Sequence, residues 1–398
     1  MQGRGLILSG VGLLRVRIVA LAVAIAAVLA TGTWFALTRA SAQESAGHNG
    51  TGGSQHAATR PSTVSAEPLR VVSVSPGSGS GVNGANPVRI VFSAPLAADS
   101  PLPELSPSIA GSWERGTGDS LQFVPLRGFA QETVVKIRIP GGPAGVRSAS
   151  GGLLGQAVSV RFRTAAFSTL RLQELLAQLG YLPLNWIPAT FSGVAPTDAN
   201  AQLSAAYSPP VGTFAWHHGY PRELRTFWRL GKSSLVLTGA VMAFESDHGM
   251  TMDGIAGQAV WTALLKAVAR SEDNSHGYTY ARASESSPET LTIWHDGRAV
   301  FHSFANTGIP VAPTTIGTSP VYLRYTFQIM RGTNPDGSTY ADPVSWVSYF
   351  RAGEAVHYFP RYSYGYPQSL GCVELPYDAA KQAWPYLTYG SLVTVAAP

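Results

Sequence analysis

Cys372 is the only cysteine in 398 residues, so no disulfide within the chain accounts for it. It follows Gly371 directly and stands fifteen positions after His357, in a run of Ser, Gly, Pro and Tyr that reads as a turn-rich loop. A thiol attacks as thiolate, and a nearby imidazole that takes its proton is the common way to obtain one at neutral pH. Beyond residue 285 the only other histidines are His295 and His302, both in a strand pattern well upstream, which makes His357 the candidate base. Gly371 gives room for a sharp turn, and backbone N–H groups near Gly371 and Cys372 can point at a developing oxyanion. The competing reading of the same thiol is a small buried hydrophobe, the usual fate of a free cysteine.

His357 followed by Ser369-Leu370-Gly371-Cys372-Val373 resembles the His…Ser-x-Gly-Cys-(Ile/Val) signature of L,D-transpeptidases of the YkuD type, which cross-link bacterial peptidoglycan. Upstream, Asn306-Thr307-Gly308 with Pro313-Thr314 and Gly317 is similar to that family's strand-end segment before the motif. The resemblance spans about residues 285 to 398 and implies a β-sandwich with the Cys loop at one end. It implies Cys372 as nucleophile, His357 as base, Ser369 positioning the loop or the imidazole, and oxyanion donors near Gly371 and Cys372, without metal or cofactor. Tyr358, Tyr364 and Tyr366 are candidates to line the acceptor cleft.

On this reading the partners are two peptidoglycan stem peptides, a donor that acylates Cys372 and an acceptor whose amine resolves the thioester. Resolution by water instead gives an L,D-carboxypeptidase or endopeptidase, and a non-catalytic peptidoglycan-binding surface protein is the reading from another class. Two positions depart from the family pattern. Tyr358 stands where members usually have Gly, and Glu374 where they usually have Arg. A carboxylate two residues from a thiolate raises its pKa unless a cation screens it.

The elements that must position this loop are β-rich. Charged residues are only 13% of the chain while Gly (42) and Pro (28) are plentiful, which suits strands joined by many turns. The net charge of +5 favours an anionic surface, but no Lys/Arg-rich run accompanies it, which excludes a nucleic-acid partner. Arg4, Arg15 and Arg17 precede the uncharged apolar segment Ile18 to Leu37, long enough to span a bilayer with its N-terminus inside. Ala40-Ser41-Ala42 offers a cleavage site, so residues 1–42 read as a membrane anchor or a signal sequence. Either way the remainder is expected outside the cytoplasm, associated with the cell wall. Residues 43–68 are Gly, Ser, Thr, Ala and His, a flexible linker.

The expected fold is multi-domain and mainly β. Over 69–166, alternating runs such as Val88, Ile90, Phe92 and Val135, Ile137, Ile139 mark short strands, and the region resembles a bacterial Ig-like β-sandwich. Over 167–268, Leu172 through Leu182 and Ala243 through Trp261 are similar to the two halves of a small α-helical peptidoglycan-binding domain, split by an insertion at 185–232. The insertion carries Trp186, Trp216 and Trp228, candidates to stack on cell-wall glycan. His217-His218 and His248 lack any zinc-ligand spacing. The last region, 285–398, is the YkuD-like β-sandwich, with Asp296-Gly297 closing a hairpin and one helix at Pro376 to Trp384.

Overall fold

The computed structural model describes residues 66–189 and 193–398. The apolar segment expected to anchor the chain, 18–37, and all but the last residues of the linker 43–68 lie outside the described residues. Among the described residues no helix is long and apolar enough to cross a membrane.

Frequent turns and period-two alternation build the first region. Its strands are β1 (Val71–Ser75), β2 (Gly79–Val82), β3 (Val88–Phe92), β4 (Glu104–Ser106), β5 (Gly111–Arg115), β6 (Ser120–Pro125), β7 (Val134–Ile139) and β8 (Val158–Thr164). They form two four-stranded sheets, β1-β3-β6-β5 and β2-β8-β7-β4. Val88, Ile90 and Phe92 of β3 and Val135, Ile137 and Ile139 of β7 are buried, while Lys136 and Arg138 between the latter face outward. The two inward faces meet in one core with Leu121, Phe123 and Phe162. Alternation of this kind is what a sheet needs when one face is packed and the other wet.

The second region carries α1 (Thr169–Gln178), β9 (Leu184–Pro188), α2 (Ala199–Tyr207), β10 (Gly212–Trp216), α3 (Leu235–Asp247) and α4 (Gln258–Arg270). The described residues of the expected insertion carry β9, α2 and β10. β9 and β10 pair antiparallel, and Asp198 caps α2 by accepting from the Asn200 and Ala201 amides at 3.0 Å each. A buried polar link joins α1 to α2: Arg171 donates to Glu174 at 2.8 Å and to Gln202 at 2.9 Å. The pairing offsets part of the cost of burial, while Arg171 Nε and Glu174 Oε1 remain buried without a partner.

The third region has β11 (Thr279–Ser284), β12 (Thr290–His295), β13 (Arg298–Phe304), β14 (Gly317–Pro320), β15 (Leu323–Thr333), β16 (Thr339–Arg351), β17 (Glu354–Tyr358), β18 (Val373–Leu375), α5 (Tyr377–Ala383) and β19 (Leu392–Ala396). A five-stranded sheet, β13-β12-β11-β19-β14, and a four-stranded sheet, β15-β16-β17-β18, share a core that includes Ile293, Val356, Val373, Leu375 and Val393. The Asp296-Gly297 turn has φ of 47° and 76°, the left-handed pair that a tight hairpin demands.

One boundary is corrected. The sequence places the start of this region at 285, yet β11 is the central strand of the five-stranded sheet, antiparallel to β12 and parallel to β19. Thr279-Tyr280-Ala281-Arg282-Ala283-Ser284 has little β-branched character, and full burial of Tyr280, Ala281 and Ala283 overrides that weak local preference. The junction with the helices is also closed by packing. Tyr278, Tyr280 and Leu392 belong to the same core as Leu175, Phe244 and Leu264.

Backbone contact tightens this junction further. A Cβ on Gly390 would lie 2.0 Å from the Gly239 carbonyl oxygen, and Gly390 has φ +79°. Gly390→Ala is therefore expected to destabilise the protein by on the order of 2 kcal/mol or more in denaturant titration, combining backbone strain with a clash that must push α3 away. Gly337→Ala, also at positive φ but with nothing within 4 Å, is expected to cost about 1 kcal/mol. Equal losses would mean that the α3 contact contributes nothing.

Candidate active site

The pairing of β17 with β18 decides which side chains meet. The two strands are parallel, with Val356 opposite Val373, His357 opposite Glu374 and Tyr358 opposite Leu375. Successive side chains of a strand point to opposite faces, so Val356 and Val373 enter the core while His357 and Glu374, with Cys372 just before β18, share the other face. All three line one cleft of about 400 Å³. Cys372 stands level with Ala355, two residues along the strand pair from the level of His357, a diagonal of roughly 8 Å between Cα atoms.

β18 is only three residues long, and its other edge is held by residues 306–309. Asn306 exchanges backbone hydrogen bonds with Glu374 at 2.9 Å each way, and Ser369 accepts from Ile309 while donating to Thr307. Buried Glu289 anchors Thr307, accepting from its amide at 2.6 Å and its hydroxyl at 2.7 Å. The Thr314 hydroxyl accepts from the Gly308 amide at 2.9 Å. Asn306, Thr307, Gly308 and Thr314 thus brace the loop that carries the thiol.

Within that loop Ser369 acts as a clasp. Its hydroxyl donates to the Cys372 carbonyl at 2.6 Å and accepts from the Gly371 amide at 3.2 Å. The Gly371 N–H is therefore already engaged. Gly371 itself has φ +112°, a backbone state that favours glycine, whereas a Cβ there would meet only ordinary contacts. His357 is 3% exposed, and its Nδ1 lies 2.9 Å from the Tyr358 carbonyl. A carbonyl can only accept, so Nδ1 carries the proton and Nε2 keeps its lone pair.

Both reacting groups are neutral at rest. Burial, with Glu374 and Glu354 adding to it, pushes the Cys372 thiol up to about 12, against the opposing pull of the Ala355 amide. The thiol donates to the Gly353 carbonyl at 3.8 Å, a contact that also favours the protonated form. Burial lowers the pKa of His357, opposed by its hydrogen bond to Tyr358 and by Glu374.

Glu374 is 4% exposed but not alone. Arg361 grips it with Nε at 2.7 Å and Nη2 at 2.8 Å, and the same Nη2 donates to the Gln368 carbonyl at 3.0 Å. A cation that offsets part of the Glu374 charge is thus supplied by Arg361, eleven residues before Cys372.

Three expected cleft residues lie elsewhere. Tyr358 alternates to the core side of β17, where it meets Tyr377 edge-on at 5.1 Å. Tyr364 ties the loop to itself, donating to the Phe359 carbonyl and accepting from the Arg361 amide. Tyr366 is 45% exposed and bonds Ser363. The aromatic walls come instead from Tyr340 and Tyr349 of β16, accompanied by Gln328, Met330 and Asp342. Only the Asn334-Pro335-Asp336-Gly337 turn signals that β15 and β16 form one long hairpin; which of its faces covers the thiol depends on the sheet. Farther away, His217 bonds Asn185 and His248 bonds the Phe244 carbonyl. Trp186, Trp216 and Trp228 line a separate apolar groove with Phe214.

A search of curated proteins finds no match to the chain. Among solved structures, an L,D-transpeptidase from Mycobacterium smegmatis is 14% identical, the overlap covering 83% of this chain and 100% of that one at a TM-score of 0.28. L,D-transpeptidase 3 from Mycobacterium tuberculosis is 17% identical over 82% and 98% of the two chains, TM-score 0.27. The catalytic domain of an Enterococcus faecium (E. faecium) L,D-transpeptidase is 24% identical over 29% and 95%, TM-score 0.28. Residues 279–395, which include β11 and every residue of the cleft, match the family model of the L,D-transpeptidase catalytic domain, YkuD.

Proposed function

We propose that the chain is an L,D-transpeptidase that forms peptidoglycan cross-links through a thioester on Cys372. The observation that supports this reading is that a lone thiol and an imidazole whose Nδ1 is engaged line one cleft, on one face of β17–β18 and within the matched region. Cys372 Sγ attacks the carbonyl carbon that joins the third residue of a donor tetrapeptide stem to its terminal D-Ala. Its proton passes to His357 Nε2 and then to the departing amine, as the C–N bond breaks and the C–S bond remains. The amine of a second stem then attacks the thioester, His357 takes its proton, and the thiol is restored. Because thiol and imidazole both start neutral, the proton moves as the C–S bond forms, without a standing ion pair.

The remaining regions fit delivery of this site to the wall. The two-sheet region 69–166 serves as an Ig-like spacer, and the helices of 167–268 as a peptidoglycan-binding-like module whose tryptophan groove meets glycan. The chain works outside the cytoplasm, tethered by or released from its N-terminal segment. The same residues would hydrolyse the thioester if water reached it first, so the product decides between transferase and carboxypeptidase.

Incubation with tetrapeptide-bearing muropeptides followed by mass analysis tests the proposal. Cross-linked dimers are expected; loss of one D-Ala without dimers would instead mean carboxypeptidase, and unchanged substrate would overturn both enzymatic readings. Cys372→Ala is expected to abolish product, and His357→Gln to lower kcat/KM by about 10²–10⁴-fold. The pH dependence follows from the directions of the two shifts. Depressed basicity keeps His357 unprotonated below its ordinary 6.5, so kcat/KM should hold constant from pH 7.5 to 6.5 and fall only at lower pH. Alkylation of Cys372 by iodoacetamide should still be rising at pH 9, because at pH 7 a thiol near 12 holds about three orders of magnitude less thiolate than one at the ordinary 9.0. A plateau of alkylation below pH 7 would show a preformed thiolate–imidazolium pair and contradict this mechanism.

A further inference from the structure

Cys372 lies among carboxylates. Glu354, on β17, adds its charge to that of Glu374 at the thiol, and its Oε1 is held by the amide and hydroxyl of Thr315 at 3.0 and 2.6 Å. Those donors are neutral, so the Glu354 charge is hydrogen-bonded without being cancelled. From β16, Tyr340, Asp342 and Tyr349 face the same cleft, and from β15 Arg331; the loop after β17 contributes Arg361, with Tyr364 behind it near Glu374. Of the two arginines in the cleft wall, Arg361 is the one paired to a carboxylate, through two parallel bonds to Glu374. This is the fork geometry in which a guanidinium matches a carboxylate best. Its side chain also stacks over Phe359, 4.6 Å from the ring centre, and binds the Gln368 carbonyl next to Ser369.

We propose that Arg361 is a positioning residue for the chemistry at Cys372: clamped to Glu374 in the cleft wall, it fixes the loop that carries Ser369 and offsets part of the carboxylate charge that opposes a thiolate. The Arg361–Glu374 pair thus places a cation, brought from the preceding loop, against the carboxylate two residues from the thiol. Two consequences follow with opposite signs. Without Arg361, the thiol faces two uncancelled carboxylates and Asp342. Without the charge on Glu374, Arg361 becomes a free cation beside the thiol and favours its ionisation.

The proposal rests on the transpeptidase reading only in taking Cys372 as the nucleophile, and its test needs no substrate. The second-order rate of Cys372 alkylation by iodoacetamide is measured at pH 8, on the rising limb where rate follows thiolate fraction. Glu374→Gln is expected to react about tenfold faster than the wild type and Arg361→Gln about tenfold slower, one pKa unit corresponding to a factor of ten. The double variant Arg361→Gln/Glu374→Gln is expected within about threefold of the wild type, as is Arg361→Lys, which keeps the charge. In denaturant all variants should react alike. If Arg361→Gln does not fold, Glu374→Gln and Arg361→Lys still decide the sign. A Glu374→Gln rate equal to or below that of the wild type, or rates of Glu374→Gln and Arg361→Gln that shift in the same direction, would overturn the proposal, since a purely structural clamp predicts that loss of either partner moves the rate alike. Muropeptide turnover by the wild type separates the two claims: turnover without the charge pattern refutes only the role of Arg361, and the charge pattern without turnover refutes only the transpeptidase reading.

Discussion

The parallel pairing of β17 with β18 is the constraint on which the rest of the site depends. Its register puts Val356 and Val373 into the core and His357, Glu374 and Cys372 onto the cleft. A slip of one residue would turn the whole cleft set inward and the valines out, an error that a packed face penalises at every position. Three residues of β18 cannot hold that register unaided. Asn306 secures its other edge, buried Glu289 secures Thr307 behind Asn306, and Ser369 closes the turn in front of the thiol. The motif is therefore a set of backbone braces as much as a set of reactive groups.

The electrostatics follow from that packing. A cleft that buries an imidazole and half-buries a thiol beside acidic side chains favours the neutral form of both, the thiol pushed up to about 12 and the imidazole lowered. The Tyr358 carbonyl spends the Nδ1 proton of His357 and leaves Nε2 as the base. A neutral thiol is a poor nucleophile until substrate arrives, and it is also slow to oxidise, because oxidation follows thiolate character. For a lone cysteine, low resting reactivity and proton transfer on demand are compatible requirements.

The candidate residues of the site could be picked out in the sequence because they are local: Cys372, His357, Ser369 and Gly371 lie within sixteen residues, and the turn residues around them announce a loop. The strands of 69–166 were legible because alternation such as Val135-Lys136-Ile137-Arg138-Ile139 is a direct imprint of a half-buried sheet. What depends on distant packing was not. β11 is dictated by the strands on either side of it, β12 and β19, rather than by its own residues. Tyr358 belongs to a motif strand but alternates to the core, and Tyr364 and Tyr366 spend their hydroxyls within their own loop. Tyr340, Tyr349 and Asp342 reach the thiol only because a hairpin thirty residues earlier in the chain folds over it. Glu374 could be identified as a departure from the family pattern, whereas its partner Arg361 depends on how the intervening loop turns back.

The central claim is that Cys372 carries the acyl group. Intact-mass measurement of the protein, quenched in acid during turnover of a tetrapeptide stem and followed by peptide mapping, tests it most directly. The account predicts a mass increase equal to the stem without its terminal D-Ala, located on the peptide containing Cys372 and labile to hydroxylamine as a thioester. An adduct on any other residue, or product formed with Cys372 never modified and equally well by Cys372→Ala, would contradict it.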